Sequence, residues 1–131
     1  MASVSFGVSL RGFKFNDWNL TFNLAAGITA ADIGKAVSLD ESAPNQVKLA
    51  VADEFVLGRL EVVENRSASG GLVGTVALKF IDKLPTTGAI AIGDRITGSA
   101  TAGVVKKATT EADTMPIVVE VGTGFAVVLK Q

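Results

Sequence analysis

Apolar and polar residues alternate along most of this chain with a period of two, which is typical of half-buried β-strands. The alternation occurs first between residues 4 and 10 and returns between Trp18 and Leu24. Turn-forming pairs, Arg11-Gly12 and Asn16-Asp17, lie between the two stretches. Residues 4–24 therefore predict two or three short strands.

The rest of the chain continues in the same way, with one exception. Residues 28–34 predict a single helical turn, because Thr29 can cap its start and Gly34 can end it. Breaker residues separate the remaining apolar stretches, and residues 66–71 predict a surface loop. The predicted strands cover residues 36–39, 46–51, 56–64, 72–80, 89–92, 95–97, 104–107, 117–121 and 125–130.

Many short strands at close spacing, with 14 glycines available for turns, predict an all-β fold. We expect a small β-barrel or sandwich with at most one short helix. The predicted organisation is an N-terminal β arm or hairpin over residues 1–27, followed by a β-barrel domain over residues 28–131.

An internal similarity runs through the predicted barrel. Residues 33–38 (IGKAVS) resemble residues 92–97 (IGDRIT), and residues 47–50 (VKLA) match residues 105–108 (VKKA). Two weaker matches follow in the same order. The pattern predicts two related β-units over 33–80 and 92–130, and chance similarity among valine-rich strands is the alternative.

Composition restricts the classes of function. The 131 residues suffice for one domain, and 48% hydrophobic against 19% charged residues excludes an intrinsically disordered chain. The chain has no cysteine and no histidine, so disulfides, thiolate chemistry and the commonest general base are excluded. A net charge of −1 gives no electrostatic footprint for nucleic acid. We also expect no membrane span and no secretion signal.

No motif predicts catalysis, a metal or a cofactor. The glycine-rich stretches do not lie between a strand and a helix, as a phosphate-binding loop would. The acid pairs at 40–41 and 53–54 fall in predicted connections, and adjacent side chains on a strand point to opposite faces. We therefore expect no enzymatic activity. Basic and aromatic residues alternate only at 11–15, a weak indication of single-stranded nucleic-acid binding.

The aromatic residues are concentrated at the N-terminus, where five of the eight lie within the first 22 positions. They supply either the bulky half of the core or anchors for another protein chain. Basic and acidic residues also cluster on the strand predicted over 56–64 and at its exit, as a solvated ladder or as a subunit contact. The candidate contact residues are Phe13, Phe15, Trp18, Phe22, Arg59 and Arg66.

Three segments resemble the capsid decoration (cement) proteins of tailed bacteriophages. They are residues 33–40 (IGKAVSLD), 56–64 (VLGRLEVVE) and 92–97 (IGDRIT), and the resemblance covers approximately residues 28–131. It implies a β-barrel fold that binds the outside of a phage capsid, often as a trimer at three-fold or quasi-three-fold positions. It brings no catalytic residues with it.

The resemblance sets the functional expectation. We expect a structural virion protein, made in the host cytoplasm, that binds the major capsid protein as a homotrimer without cofactor, nucleic acid or membrane. The alternatives are another phage structural β-module, such as a head-completion, tail-tube or spike-associated domain, and a barrel that binds a small ligand or nucleic acid.

Overall fold

The structure is a computed structural model that describes the backbone of residues 8–10 and 13–15 and the complete residues 18–66, 71–112 and 114–131. Within these residues, the chain forms β-strands and one short 3₁₀ turn, Ala30–Asp32. The strands are β1 (Val8–Leu10), β2 (Phe13–Phe15), β3 (Trp18–Leu24), β4 (Ala36–Leu39), β5 (Gln46–Leu49), β6 (Gly58–Arg66), β7 (Gly71–Pro85), β8 (Ile96–Gly98), β9 (Val105–Lys107), β10 (Ile117–Gly122) and β11 (Phe125–Lys130).

The all-β prediction is confirmed, and the predicted helical turn lies where the sequence places it. Thr29 caps the 3₁₀ turn through a reciprocal pair of hydrogen bonds with Asp32. The strand predicted over 89–92 is wrong, because this segment bends into a turn in which the Asp94 carboxylate accepts a hydrogen bond from Ala91 N. The predicted loop is only partly described, since residues 67–70 lie outside the described residues.

Five strands close the first barrel. Its sheet runs β7–β3–β5–β4–β6 and returns to β7, with β3 and β5 parallel and the other neighbours antiparallel. Only the N-terminal part of β7, before Phe80, takes part in this ring. The predicted β-barrel is thereby confirmed.

The C-terminal part of β7 opens a second ring of the same topology. This part pairs with β11, β11 pairs with β10, and β8 pairs with β9. An isolated bridge between Arg95 and Ile117 joins β8 to β10, and a parallel bridge between Thr86 and Val105 joins β9 to the end of β7. We call this ring the second barrel. Strand β7 is therefore shared by two barrels in series.

The hydrogen bonds of the two barrels correspond position by position. Gly34 N donates to Leu60 O at 2.7 Å, and Gly93 N donates to Val118 O at 2.8 Å. In the same way, Leu60 N and Val118 N donate to the residues that follow those glycines. A bulge then follows Leu60 in β6 and Val118 in β10. The two barrels thus share a register as well as a strand order.

Turns between the corresponding strands also match. In the β4–β5 turn, the Asp40 carboxylate accepts a hydrogen bond from Ser42 N at 3.0 Å. In the β8–β9 turn, the Ser99 hydroxyl accepts one from Thr101 N at 3.2 Å. Gly34 and Gly93 have φ values of 93° and 91°, a region that L-residues rarely adopt. The same local chemistry therefore shapes both units.

Each barrel has its own buried side chains at corresponding positions. The interior of the first includes Val37, Val47, Leu60 and Val76. The corresponding residues of the second barrel are also buried, and they are Ile96, Val105, Val118 and Val128. Burial of these aliphatic side chains is the main source of stability for a chain without disulfides.

The first barrel covers one end of the second barrel and contributes side chains to its core. Ala36, Val56 and Ala77 of the first barrel belong to the same buried cluster as the interior of the second. Backbone hydrogen bonds fix this contact, since Ala36 N donates to Gly103 O and Gly103 N donates to Ala50 O. We call this contact the inter-barrel interface.

The structure moves the boundary of the predicted N-terminal arm. The expectation placed residues 1–27 outside the barrel, but β3 lies between β5 and β7 and its Leu24 is buried. Because β3 supplies two ladders, it is an integral barrel strand. The hairpin of β1 and β2, which pair antiparallel, precedes it.

Candidate functional site

The four aromatic candidates differ in their surroundings. Trp18 is 60% exposed at the start of β3, and Lys79 Nζ lies 4.8 Å from its ring centroid. Phe22, four residues along the same strand, is half-buried and packs against the core of the first barrel. The side chains of Phe13 and Phe15 lie outside the described residues. Of the described pair, Trp18 has the surface available for contact with another molecule.

Arg59 lies in a network that holds β6 against β7. Its guanidinium contacts the Glu61 carboxylate, lies 3.5 Å from Asp82 Oδ2, and donates from Nε to Lys83 O at 2.7 Å. All three charged side chains are largely shielded from solvent. Burial raises the pKa of Glu61 above its ordinary value, and the charge of Arg59 opposes that rise. Arg59 therefore acts as an internal clamp across the inter-barrel interface.

Arg66 lies at the end of β6 and has a local ion-pair partner. Its guanidinium contacts the carboxylate of Glu64, two residues earlier on the same strand, and both side chains are about half exposed. Such an exposed pair contributes little to folding. Its side chain is open to solvent and available for an intermolecular contact.

Sequence reasoning missed a pair of exposed isoleucines. Ile33 and Ile92 precede the two equivalent glycines, and they are 45% and 71% exposed. An exposed isoleucine therefore occurs at the same position in both barrels. The repeated Ile-Gly dipeptide was the available signal, but it indicated only the repeat.

An open groove lies on the second barrel, beside the β5–β6 connection of the first barrel. Its volume is about 480 Å³, and its lining includes Phe55, Arg95, Thr114, Leu129 and Lys130. Lys130 is buried, donates to Leu78 O at 3.0 Å, and lies 5.6 Å from the Phe55 ring centroid. Burial lowers the pKa of Lys130. The groove is therefore lined by both apolar and cationic side chains.

Of the two acid pairs at 40–41 and 53–54, the second is engaged in separate ion pairs. Lys48 Nζ lies 2.7 Å from Glu54, and Lys106 Nζ lies 2.9 Å from Asp53. Asp40 accepts hydrogen bonds from Ser42 and Gln46, which lower its pKa to about 2. Among the described residues, acidic side chains form no cluster that could hold a metal ion.

No family model, no curated protein and no solved structure matches the chain. In the part of the chain that the structure describes, there is no helix of sufficient length and apolar character to span a membrane.

Proposed function

We propose that this protein is a structural virion protein that binds the outer surface of a phage capsid and stabilises the head. Its partner is the major capsid protein, and it acts as a homotrimer without catalysis or cofactor. After synthesis in the host cytoplasm it resides on the capsid exterior. The resemblance of residues 33–40, 56–64 and 92–97 to decoration proteins supports this proposal.

The observation that carries the proposal is the exposed isoleucine in the turn before each of the corresponding strands β4 and β8. Ile33 and Ile92 open two of the resembling segments, and both extend apolar side chains from rigid, hydrogen-bonded turns. A rigid scaffold loses little conformational entropy on binding, so each contact contributes more of its burial energy to affinity. Two such contacts in one chain suit a partner whose surface is itself repetitive.

Trimerisation would raise the affinity of the protein for the capsid. An icosahedral shell presents equivalent three-fold points, and a closed three-fold trimer repeats one capsid contact three times. Linking weak contacts in one body raises the overall affinity by roughly 10²–10⁴-fold. Bound protein then stabilises the shell by mass action, because it binds the assembled head.

A sedimentation experiment tests the proposal. Heads are assembled from the major capsid protein encoded in the same genome, mixed with the purified protein and pelleted. We expect the protein to pellet with the heads and to raise their disassembly temperature. The double variant Ile33→Ser with Ile92→Ser should lose pelleting, whereas Val62→Ser, which changes an exposed valine of β6, should retain it.

Two results would count against the proposal. Wild-type protein that stays in the supernatant at every concentration would reject capsid binding. Full pelleting by the double isoleucine variant would reject the contact assigned to the two turns.

A further inference from the structure

The groove on the second barrel has a counterpart that is covered within the chain. Ala36 of the first barrel corresponds to Arg95 of the second, because Ala36 pairs with Arg59 as Arg95 pairs with Ile117. Ala77 corresponds to Leu129 in the same way, because Ala77 also pairs with Arg59 and Leu129 also pairs with Ile117. Ala36 and Ala77 lie buried in the inter-barrel interface. Arg95 and Leu129 line the open groove. The groove is thus the face on which a third barrel would sit if the series continued.

The opposite end of the molecule shows the complementary feature. Strand β3 of the first barrel corresponds to the C-terminal part of β7, since Asn19 pairs with Ala77 as Ile81 pairs with Leu129. Counted along the strand, Trp18 therefore corresponds to Phe80. A bulge between Trp18 and Asn19 gives Trp18 Lys79 as its partner, whereas Phe80 continues its ladder regularly and pairs with Lys130. Phe80 is 2% exposed, because it is buried in the cluster that the first barrel completes, whereas Trp18 is 60% exposed.

A second pair of positions changes character in a matched way. Across the inter-barrel interface, Arg59 Nη1 lies 3.5 Å from Asp82 Oδ2. The corresponding residues at the two open faces are Ile117, which lines the groove, and Leu20, which is 54% exposed beside Trp18. Both members of an ion pair are thus replaced by apolar residues. Because both open faces carry an apolar residue where the inter-barrel interface carries a charged one, the two faces are complementary to each other.

The groove also suits an indole ring. Arg95 lines the groove and provides a cation, and tryptophan is the best cation–π partner among the aromatic residues. The contact between copies does not need to repeat every backbone hydrogen bond of the inter-barrel interface. Arg95 N already donates to the Glu111 carboxylate at 3.1 Å, at the position where Ala36 N donates to Gly103 O.

We infer that the protein self-associates head to tail, with Trp18 and Leu20 of one copy seated in the groove of Arg95, Ile117 and Leu129 on the second barrel of the next. Within one chain, two barrels are joined in series through β7. The contact between copies adds the first barrel of the next copy to that series. It is heterologous, so it closes into a ring when the rotation per copy divides a full turn. This assembly does not depend on capsid binding.

Mixing two single variants tests the pairing of the two faces. Trp18→Ala removes the anchor, and Thr114→Arg places a large charged side chain in the groove at an exposed position. We expect each variant alone to be monomeric by analytical ultracentrifugation, with the association constant reduced at least about thirtyfold. A mixture of the two should form one-to-one dimers and nothing larger, because it contains one intact pair of faces.

Fluorescence gives an independent measurement, since Trp18 is the single tryptophan of the chain. In the mixture, all tryptophan belongs to the Thr114→Arg copy. Its emission should shift to shorter wavelength, and acrylamide quenching should fall, when the Trp18→Ala copy is added. Thr123→Arg, which changes an exposed residue that does not line the groove, is the matched control and should assemble as wild type does.

Several outcomes would overturn the inference. A monomeric wild type at its highest soluble concentration would do so. An oligomer that both variants leave intact would also do so, as would variants that are monomeric and fail to complement each other. Circular dichroism checks the fold of each variant, and Leu20→Arg serves as a second change on the Trp18 side if Trp18→Ala is misfolded.

Discussion

Trp18 and Phe80 each immediately precede the equivalent residues Asn19 and Ile81 in two barrels of one topology, yet Trp18 is 60% exposed and Phe80 only 2%. The difference lies in their neighbours, because Phe80 is buried in the cluster that the first barrel completes. A repeated fold thus presents at one end the surface that it covers in the middle.

Truncation separates the N-terminal hairpin from the barrel. Deletion of residues 1–16 should change the free energy of unfolding by less than about 1 kcal/mol, because every strand of both barrels is retained. Deletion of residues 1–24 should unfold the protein, since it removes β3 and the buried Leu24. Urea unfolding followed by circular dichroism measures both. A stable fold after the longer deletion would contradict the place of β3 in the barrel.

The two equivalent glycines should differ in their response to alanine. Both have φ near 90°, so each substitution strains the backbone by about 1–2 kcal/mol. Gly34→Ala should cost more than Gly93→Ala, because its Cβ would lie 3.2 Å from Arg59 Nη2, whereas nothing lies within 4 Å at Gly93. Thermal and urea unfolding give the comparison. Equal losses would show that Arg59 gives way freely.

The sequence predicts the barrels better than it predicts their register. Alternation and glycine turns located nearly every strand, because those signals are local. The matches of 33–38 with 92–97 and of 47–50 with 105–108 coincide with the structural pairs. The two weaker sequence matches differ from the structural equivalences by one or two residues. Valine-rich strands resemble one another at any offset, and only the hydrogen-bond partners identify the correct offset.

The candidate site was less predictable, for a physical reason. Residue type marked Trp18, Phe22 and Arg59 as equally suited to an interface. Their roles depend on what covers them, which sequence periodicity does not encode. Phe22 packs against the core of the first barrel and Arg59 bridges two carboxylates, so Trp18 is the one of these three that stays open.

Substitution of the two arginines distinguishes clamp from surface. Arg59→Ala should reduce the free energy of unfolding by about 2 kcal/mol, because it leaves Glu61 and Asp82 shielded from solvent without their cation. Arg66→Ala should change it by less than about 0.5 kcal/mol, since its ion pair is exposed. Urea denaturation measures both. An unchanged free energy of unfolding for Arg59→Ala would show that Arg59 does not stabilise the inter-barrel interface.

Acid stability should depend on Asp40. Hydrogen bonds lower its pKa from 3.8 to about 2 in the folded protein, so its contribution to stability is present above pH 3.8 and is lost as the pH falls toward 2. Asp40→Ser should keep the turn, because Ser99 performs the same role in the second barrel. The variant should therefore lose less stability than wild type over that pH range. Equal acid profiles would contradict the assignment.

Imaging of decorated heads tests the proposed function most directly. Undecorated heads are mixed with the wild-type protein and examined by cryo-electron microscopy with icosahedral averaging. We predict additional density on the outer surface at three-fold or quasi-three-fold positions, into which three double barrels fit. Heads that remain bare after saturating incubation, or density confined to the inner surface, would contradict the proposal.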